Sequence, residues 1–201
     1  MTMAEDGAGV RTLREMTGAG LLDCKKALQA ADGDLERAVK ILREKGLAQA
    51  AKKVGREATE GLVDAYIHPG SRVGVLVEVN CETDFVARTE EFRQFVHEVA
   101  MQVAAMNPKY VARENVPADE IEREKEILRV QVEAQGKPPA VAEKIMMGRL
   151  EKFFQQNCLL EQPYIRNGDV TVGQLVKELI ARVGENIVVR RFARYELGEA
   201  R

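Results

Sequence analysis

Four valines at alternate positions, Val73, Val75, Val77 and Val79, constrain this chain more than any other stretch. Their two-residue period is that of a β-strand with one buried face, so the rest of the chain must cover that face. The pattern ends at Asn80, and a short polar run then carries Thr83, Asp84, Phe85 and Val86 to a helix start at Thr89. Phe85 thus falls outside both the strand period and the helix stripe. Either it folds back to cap the core, or it stands as an apolar wedge on the rim of a sheet. Spacing leaves both open.

The elements around this strand follow from the same periods. Residues 62–68 form a strand, Pro69-Gly70-Ser71 a turn and residues 72–80 the returning strand, so a hairpin is predicted. From Thr89, Phe92, Phe95, Val96, Val99, Ala100, Val103 and Met106 recur at three and four, an amphipathic helix stopped by Asn107-Pro108. Two charged helices over about 117–156, joined at Gly136-Lys137-Pro138-Pro139, form an αα-hairpin with a narrow apolar seam. That seam runs through Ile121, Ile127 or Leu128, Val132, Val141, Ile145, Leu150 and Phe153 or Phe154. A last helix spans 171–183, and a strand over 187–197 pairs with the hairpin strands. The expected class is α+β, a three-stranded antiparallel sheet with helices on it.

Before this unit, residues 8–46 read as three short helices. Val10, Leu13 and Met16 share a face of the first. Leu21, Leu22, Cys24, Ala27 and Leu28 line one side of the second. In the third, Asp34 is the N-cap, Leu35, Ala38, Val39, Ile41 and Leu42 make the stripe, and Gly46 is the C-terminal stop. The expected division is a three-helix domain over 1–46, a helical linker over 47–60 and an α+β core over 61–201. Three helices in so few residues enclose a thin core, and such a module usually presents a surface.

Composition narrows the chemistry. The 201 residues are 45% hydrophobic and 31% charged, which describes a globular protein with a heavily charged surface. A net charge of −2 without a basic stripe is no footprint for nucleic acid, and scarce aromatics with no Trp argue against a base-stacking platform. No run approaches the roughly eighteen apolar residues of a membrane span. The opening M-T-M-A-E-D-G is acidic and lacks the apolar core of a signal peptide. Three scattered cysteines without a C-x-x-C suit reduced thiols in a cytoplasm. Gly18-Ala19-Gly20 lacks the strand and spacing of a phosphate loop. His68 and His97 lack metal-ligand spacing, there is no G-x-S-x-G, and no Cys has a plausible His partner nearby. The expectation is a non-enzyme with no catalytic residue, no metal and no cofactor, acting through its surface.

Three segments together resemble bacterial elongation factor Ts, the guanine-nucleotide exchange factor for elongation factor Tu. They are L-R-E-M-T-G-A-G-L-L-D-C-K-K-A-L over 13–28, V-E-V-N-C-E-T-D-F-V-A-R over 77–88, and G-K-P-P-A-V-A-E-K-I-M-M-G-R-L over 136–150. The resemblance implies a ubiquitin-associated-like N-terminal bundle that docks on the partner's GTPase domain through Arg14, Leu21 and Leu22. It implies that Thr83, Asp84, Phe85 and Val86 displace magnesium from the partner's nucleotide site, with Phe85 as wedge. It also implies a partner contact at His68. Partners would be the GDP-bound and nucleotide-free forms of elongation factor Tu. A ubiquitin-associated-like scaffold without exchange activity is the alternative. Long members carry two related sheet halves and this chain carries one, so a homodimer is expected. Gly74 and Leu76, with Tyr66 and Phe192 as neighbours, would offer the apolar face for it.

Overall fold

The valine strand does find its cover. In the computed structural model, which describes residues 3–136 and 138–199, Val75, Val77 and Val79 are buried beneath a long amphipathic helix. Met1, Thr2, the hairpin-turn residue Lys137, Ala200 and Arg201 lie outside the described residues. In chain order the elements are helices α1 (Met3–Thr17), α2 (Leu21–Ala30) and α3 (Leu35–Ala51), strands β1 (Glu60–Ile67) and β2 (Val73–Cys81), and the single turn α4 (Asp84–Ala87). They continue with α5 (Glu90–Met106), α6 (Ala118–Glu133), α7 (Pro139–Asn157), β3 (Pro163–Tyr164), β4 (Asn167–Thr171), α8 (Val172–Val183) and β5 (Val188–Glu196). The class is α+β, with an antiparallel sheet in the order β1-β2-β5.

Caps place the helices where the sequence signals do. Asp34 accepts from the Arg37 amide at 3.0 Å, and Thr89 accepts from that of Phe92 at 3.3 Å. Thr171 and Gln174 cap each other's backbone at the start of α8, and Gly184, at φ 78°, closes it in the left-handed conformation. Under the sheet, α5 buries Phe92, Phe95, Val96, Val99, Ala100 and Val103, while Met106 at its end is exposed. Gln102 is buried too: its amide donates to Gln162 and to the Pro163 carbonyl and accepts from the Ile165 amide at 2.9 Å. This anchors the small β3-β4 ribbon, which no sequence period foretold.

Register sorts the sheet's two faces. Val75 stands opposite Tyr66 and Arg194, and Val77 opposite Asp64 and Phe192. Tyr66 and Phe192 therefore lie on the valine face, against the core, and not on the outer face with Gly74 and Leu76 as expected. For Phe192 the cause is a bulge: Val189 pairs with Val79 and Phe192 with Val77, so one extra residue, Arg190, changes the phase of β5. The outer face instead holds Val63, Ala65 and Ile67 from β1, Leu76 from β2, and Ala193 and Tyr195 from β5. Val63, Ile67, Leu76 and Tyr195 are all exposed.

Helices α1 to α3 enclose a separate small core of Val10, Leu13, Cys24, Ala27, Leu28, Ala31, Ala38 and Leu42. Met16, Leu21 and Leu22 do not join their helices' inward stripes and are exposed. Nor does Gly46 end a helix: α3 continues to Ala51, and Ala50 is buried in the larger core. A Cβ at position 46 would approach that of Ala181 to 3.1 Å, so this glycine lets α3 lie close on α8. The hairpin α6-α7 packs chiefly on itself. Its base is sealed by Phe154, Val116 and Cys158 with Tyr110 and Ile121 around them, and of the seam alternatives Leu128 and Phe154 are the buried ones. Arg113 grips this base, bonded to Glu151 and Glu161 and stacked 4.8 Å over the Phe154 ring.

One glycine sets how β1 enters the sheet. Gly61 has φ 140°, and a Cβ there would sit 2.2 Å from the Val79 carbonyl oxygen. Gly70, at φ 92° in the open turn, has nothing within 4 Å. Gly61→Ala should cost about 3 kcal/mol of unfolding free energy and Gly70→Ala about 1 kcal/mol. Urea unfolding of the two variants measures the difference.

Candidate functional site

Strand β2 ends at Cys81, and the chain turns sharply away from the core. The Cys81 thiol is fully buried and donates to the Thr83 carbonyl at 3.1 Å. Burial first, and the nearby Glu185 carboxylate second, push its pKa up to about 11, so it is a plug and not a nucleophile. Thr83 then caps α4, its hydroxyl accepting from the Val86 amide at 3.4 Å. Four residues make one helical turn, and that turn sends its side chains in opposite directions. Val86 is 5% exposed and Phe85 75% exposed. The folding-back alternative for Phe85 is thereby overturned: Val86 seals the core at this point and Phe85 stands in solvent. Asp84, beside it, pairs with Arg88 at 2.6 Å on the surface.

A carboxylate from the neighbouring turn, just before β5 at the same end of the sheet, holds α4 in place. Glu185 lies between α8 and β5, and its Oε2 accepts from the amides of Glu82 and Thr83 at 3.1 and 3.0 Å. Its Oε1 accepts from the Thr83 hydroxyl at 2.6 Å. Glu82 answers in kind, accepting from the Asn186 amide at 2.6 Å. The buried Asn186 side chain donates to the Arg56 carbonyl at 2.7 Å, and Arg56 faces Glu82 at 3.6 Å. Sequence reasoning missed Glu82, Glu185 and Asn186. Gly184-Glu185-Asn186 reads locally as a turn, and no period announces a partner 103 residues away.

The other expected contact residues lie elsewhere. His68 is exposed at the far end of β1, roughly 25 Å along the strand from the Phe85 turn at about 3.3 Å per residue. Its Nδ1 meets the Tyr66 hydroxyl at 3.0 Å, the Tyr66 ring meets His97 edge-on at 5.6 Å, and His97 reaches Asp64 at 3.2 Å. Arg14 is in the last turn of α1, and Leu21 and Leu22 open α2 at 61% and 72% exposure, with the exposed Met16 nearby in the chain. Three separate places on the surface thus carry the expected contacts. A cleft of about 460 Å³ between the small bundle and α8 has its cations already paired: Arg43 with Glu178, Lys45 with Asp23, Arg182 with Glu91. Among the described residues, no group of three or more His, Cys, Asp or Glu side chains is placed to hold a metal ion. Among them, too, no helix is long and apolar enough to cross a membrane.

A family described as Elongation factor TS matches residues 21–199. The chain belongs to that family. It is 65% identical over 190 residues to the Elongation factor Ts of Caldanaerobacter subterraneus subsp. tengcongensis, covering 94% of this chain and 95% of the relative. To that of Moorella thermoacetica it is 64% identical over 192 residues, covering 96% and 95%. To that of Carboxydothermus hydrogenoformans it is 63% identical over 190 residues, covering 94% and 88%.

The opposed burial of neighbours gives a direct check. Phe85→Ala should change the unfolding free energy by no more than about 0.5 kcal/mol, as for any exposed side chain. Val86→Ala should cost about 2 kcal/mol through lost burial and a residual cavity. Equal losses in the two thermal melts would contradict the geometry.

Proposed function

We infer that this chain is a guanine-nucleotide exchange factor for elongation factor Tu in translation elongation, working through the turn that carries Phe85. Family membership supports the exchange function, and one observation carries the mechanism: a large apolar side chain three-quarters exposed on a clamped helical turn. No bond is made or broken in such a reaction. The factor must hold nucleotide-free partner more tightly than GDP-bound partner, and the coupling is reciprocal, so it weakens GDP as much as GDP weakens it. Thr83, Asp84, Phe85 and Val86 form the element that displaces the partner's magnesium and disturbs its phosphate site. Phe85 is the wedge, Asp84 the exposed charge next to it, and Thr83 and Val86 hold the turn. The chain itself needs no cofactor.

Leu21, Leu22 and Arg14 give a docking surface on the partner's GTPase domain, and His68 a further contact. The bundle over 1–46 serves as a ubiquitin-associated-like docking domain and 61–201 as the core that carries the wedge. Relatives named Elongation factor Ts do not favour a scaffold without exchange activity. The net charge of −2 supports a partner that is protein and not nucleic acid. Three free, buried cysteines suit the cytoplasm. The exposed outer face of the sheet, Val63, Ile67, Leu76 and Tyr195, supports a homodimer in which two such faces meet.

Docking and wedging should separate in the kinetics of fluorescent GDP release from elongation factor Tu. Phe85→Ala should lower the maximal release rate by about tenfold or more, the scale of losing a buried aromatic anchor. Asp84→Ala should act in the same direction. Replacing Leu21 and Leu22 together by Ala should instead raise the concentration of factor needed for half-maximal release and leave the maximal rate nearly unchanged. An unchanged rate for Phe85→Ala would remove the wedge. Sedimentation equilibrium at micromolar concentration should give twice the 22.4 kDa chain mass; a single species at 22.4 kDa would exclude the dimer.

A further inference from the structure

A wedge transmits force only if its mount does not yield. The mount of Phe85 is a four-residue helical turn, too short to be stable alone. Three connections converge on it: residues 52–56 after α3, Glu82 and Thr83 after β2, and residues 184–186 before β5. Glu185 is their hub. It accepts three hydrogen bonds, two from successive amides and one from the Thr83 hydroxyl. Both of its carboxylate oxygens are thereby committed to the turn. It follows the C-terminal end of α8, whose negative pole disfavours an acid; the Lys53 ammonium, bonded to the Gly184 carbonyl there, offsets this. The Thr83 hydroxyl is held from both sides as well, donating to Glu185 and accepting from the Val86 amide.

We propose that Glu185 and Thr83 are positioning residues for exchange: through Glu185 the α8–β5 turn holds α4 so that Phe85 is already aimed when the partner arrives. The proposal rests on the reading of Phe85 as the wedge. Without the carboxylate, the amides of Glu82 and Thr83 turn to water, the Thr83 cap is free to rotate, and α4 samples other directions. Binding energy is then spent ordering the turn instead of displacing the partner's groups.

Glu185→Ala, Glu185→Gln and Thr83→Val, each also combined with Phe85→Ala, test this. Gln keeps one oxygen for the two amides, and its NH₂ can donate to the Thr83 hydroxyl, which still has acceptor capacity. Glu185→Ala should lower the maximal rate of GDP release from elongation factor Tu about tenfold, and Glu185→Gln should stay within about threefold of wild type. Amide hydrogen exchange should quicken in residues 82–88 and not in the buried stripe of α5. Combining Glu185→Ala with Phe85→Ala should be no slower than Phe85→Ala alone, because a turn without its wedge has nothing to aim. If Phe85→Ala slows release and Glu185→Ala does not, the clamp is overturned and the wedge stands. If Phe85→Ala leaves release unchanged, the wedge reading and the clamp's part in exchange both fall. Should Glu185→Ala melt the whole fold, Thr83→Val, which removes the cap and one of the three bonds, decides by the same criteria.

Discussion

Burial of one face of β2 under α5 is the constraint on which the rest of this structure depends. Val75, Val77 and Val79 must point inward, and because side chains alternate, slipping the strand by one residue would turn the whole set to solvent. That requirement fixes where the strand stops. Cys81 is the last inward residue, fully buried, and the chain beyond it has to leave the core. Thr83 and Val86 then close the exit with a helical turn, and Phe85, between them, has no direction left but outward. The exposed aromatic is a consequence of the valine face, set by register and one cap.

An exchange factor uses such a feature without chemistry. Its task is differential binding, and a rigid apolar projection is suited to it because the cost of ordering the projection is met in folding. The clamp around α4 shows where that order comes from. Glu82 and Glu185 exchange hydrogen bonds across two turns, and Arg56 and Asn186 join them to the end of the segment that leads from the small bundle. Because α3 runs without a break from that bundle into the larger core at Ala50, the exposed Leu21 and Leu22 and the turn at Phe85 belong to one connected framework.

Much of this was legible in the sequence, and the rest was hidden for definable reasons. Period-two and period-3.6 patterns located β2, α5 and α8, and the caps Asp34, Thr89 and Thr171 are the residues that start their helices. Periodicity misled at Leu21 and Leu22, whose apolar character serves the surface and not the bundle's core. It misled at Gly46 because a glycine can serve close helix packing as well as helix termination. Phe192 went to the other face because a single bulge residue, Arg190, reverses the alternation, and a bulge leaves no mark in a hydrophobic pattern. The clamp of Glu185 on Thr83 joins turns that are distant in the chain, so only the folded sheet brings it to view. Phe85 was visible as an anomaly, and its outward direction needed the burial of its neighbour Val86 to become plain.

An exchange factor must distinguish two states of one partner. Isothermal titration of the wild-type chain into nucleotide-free elongation factor Tu and into its GDP complex measures that difference directly. Binding to the nucleotide-free form should be markedly tighter, with the ratio of the two affinities equal to the factor by which the chain weakens GDP binding. Equal affinity for both forms would contradict the exchange function, since a factor that binds both states alike shifts nothing, however tightly it binds.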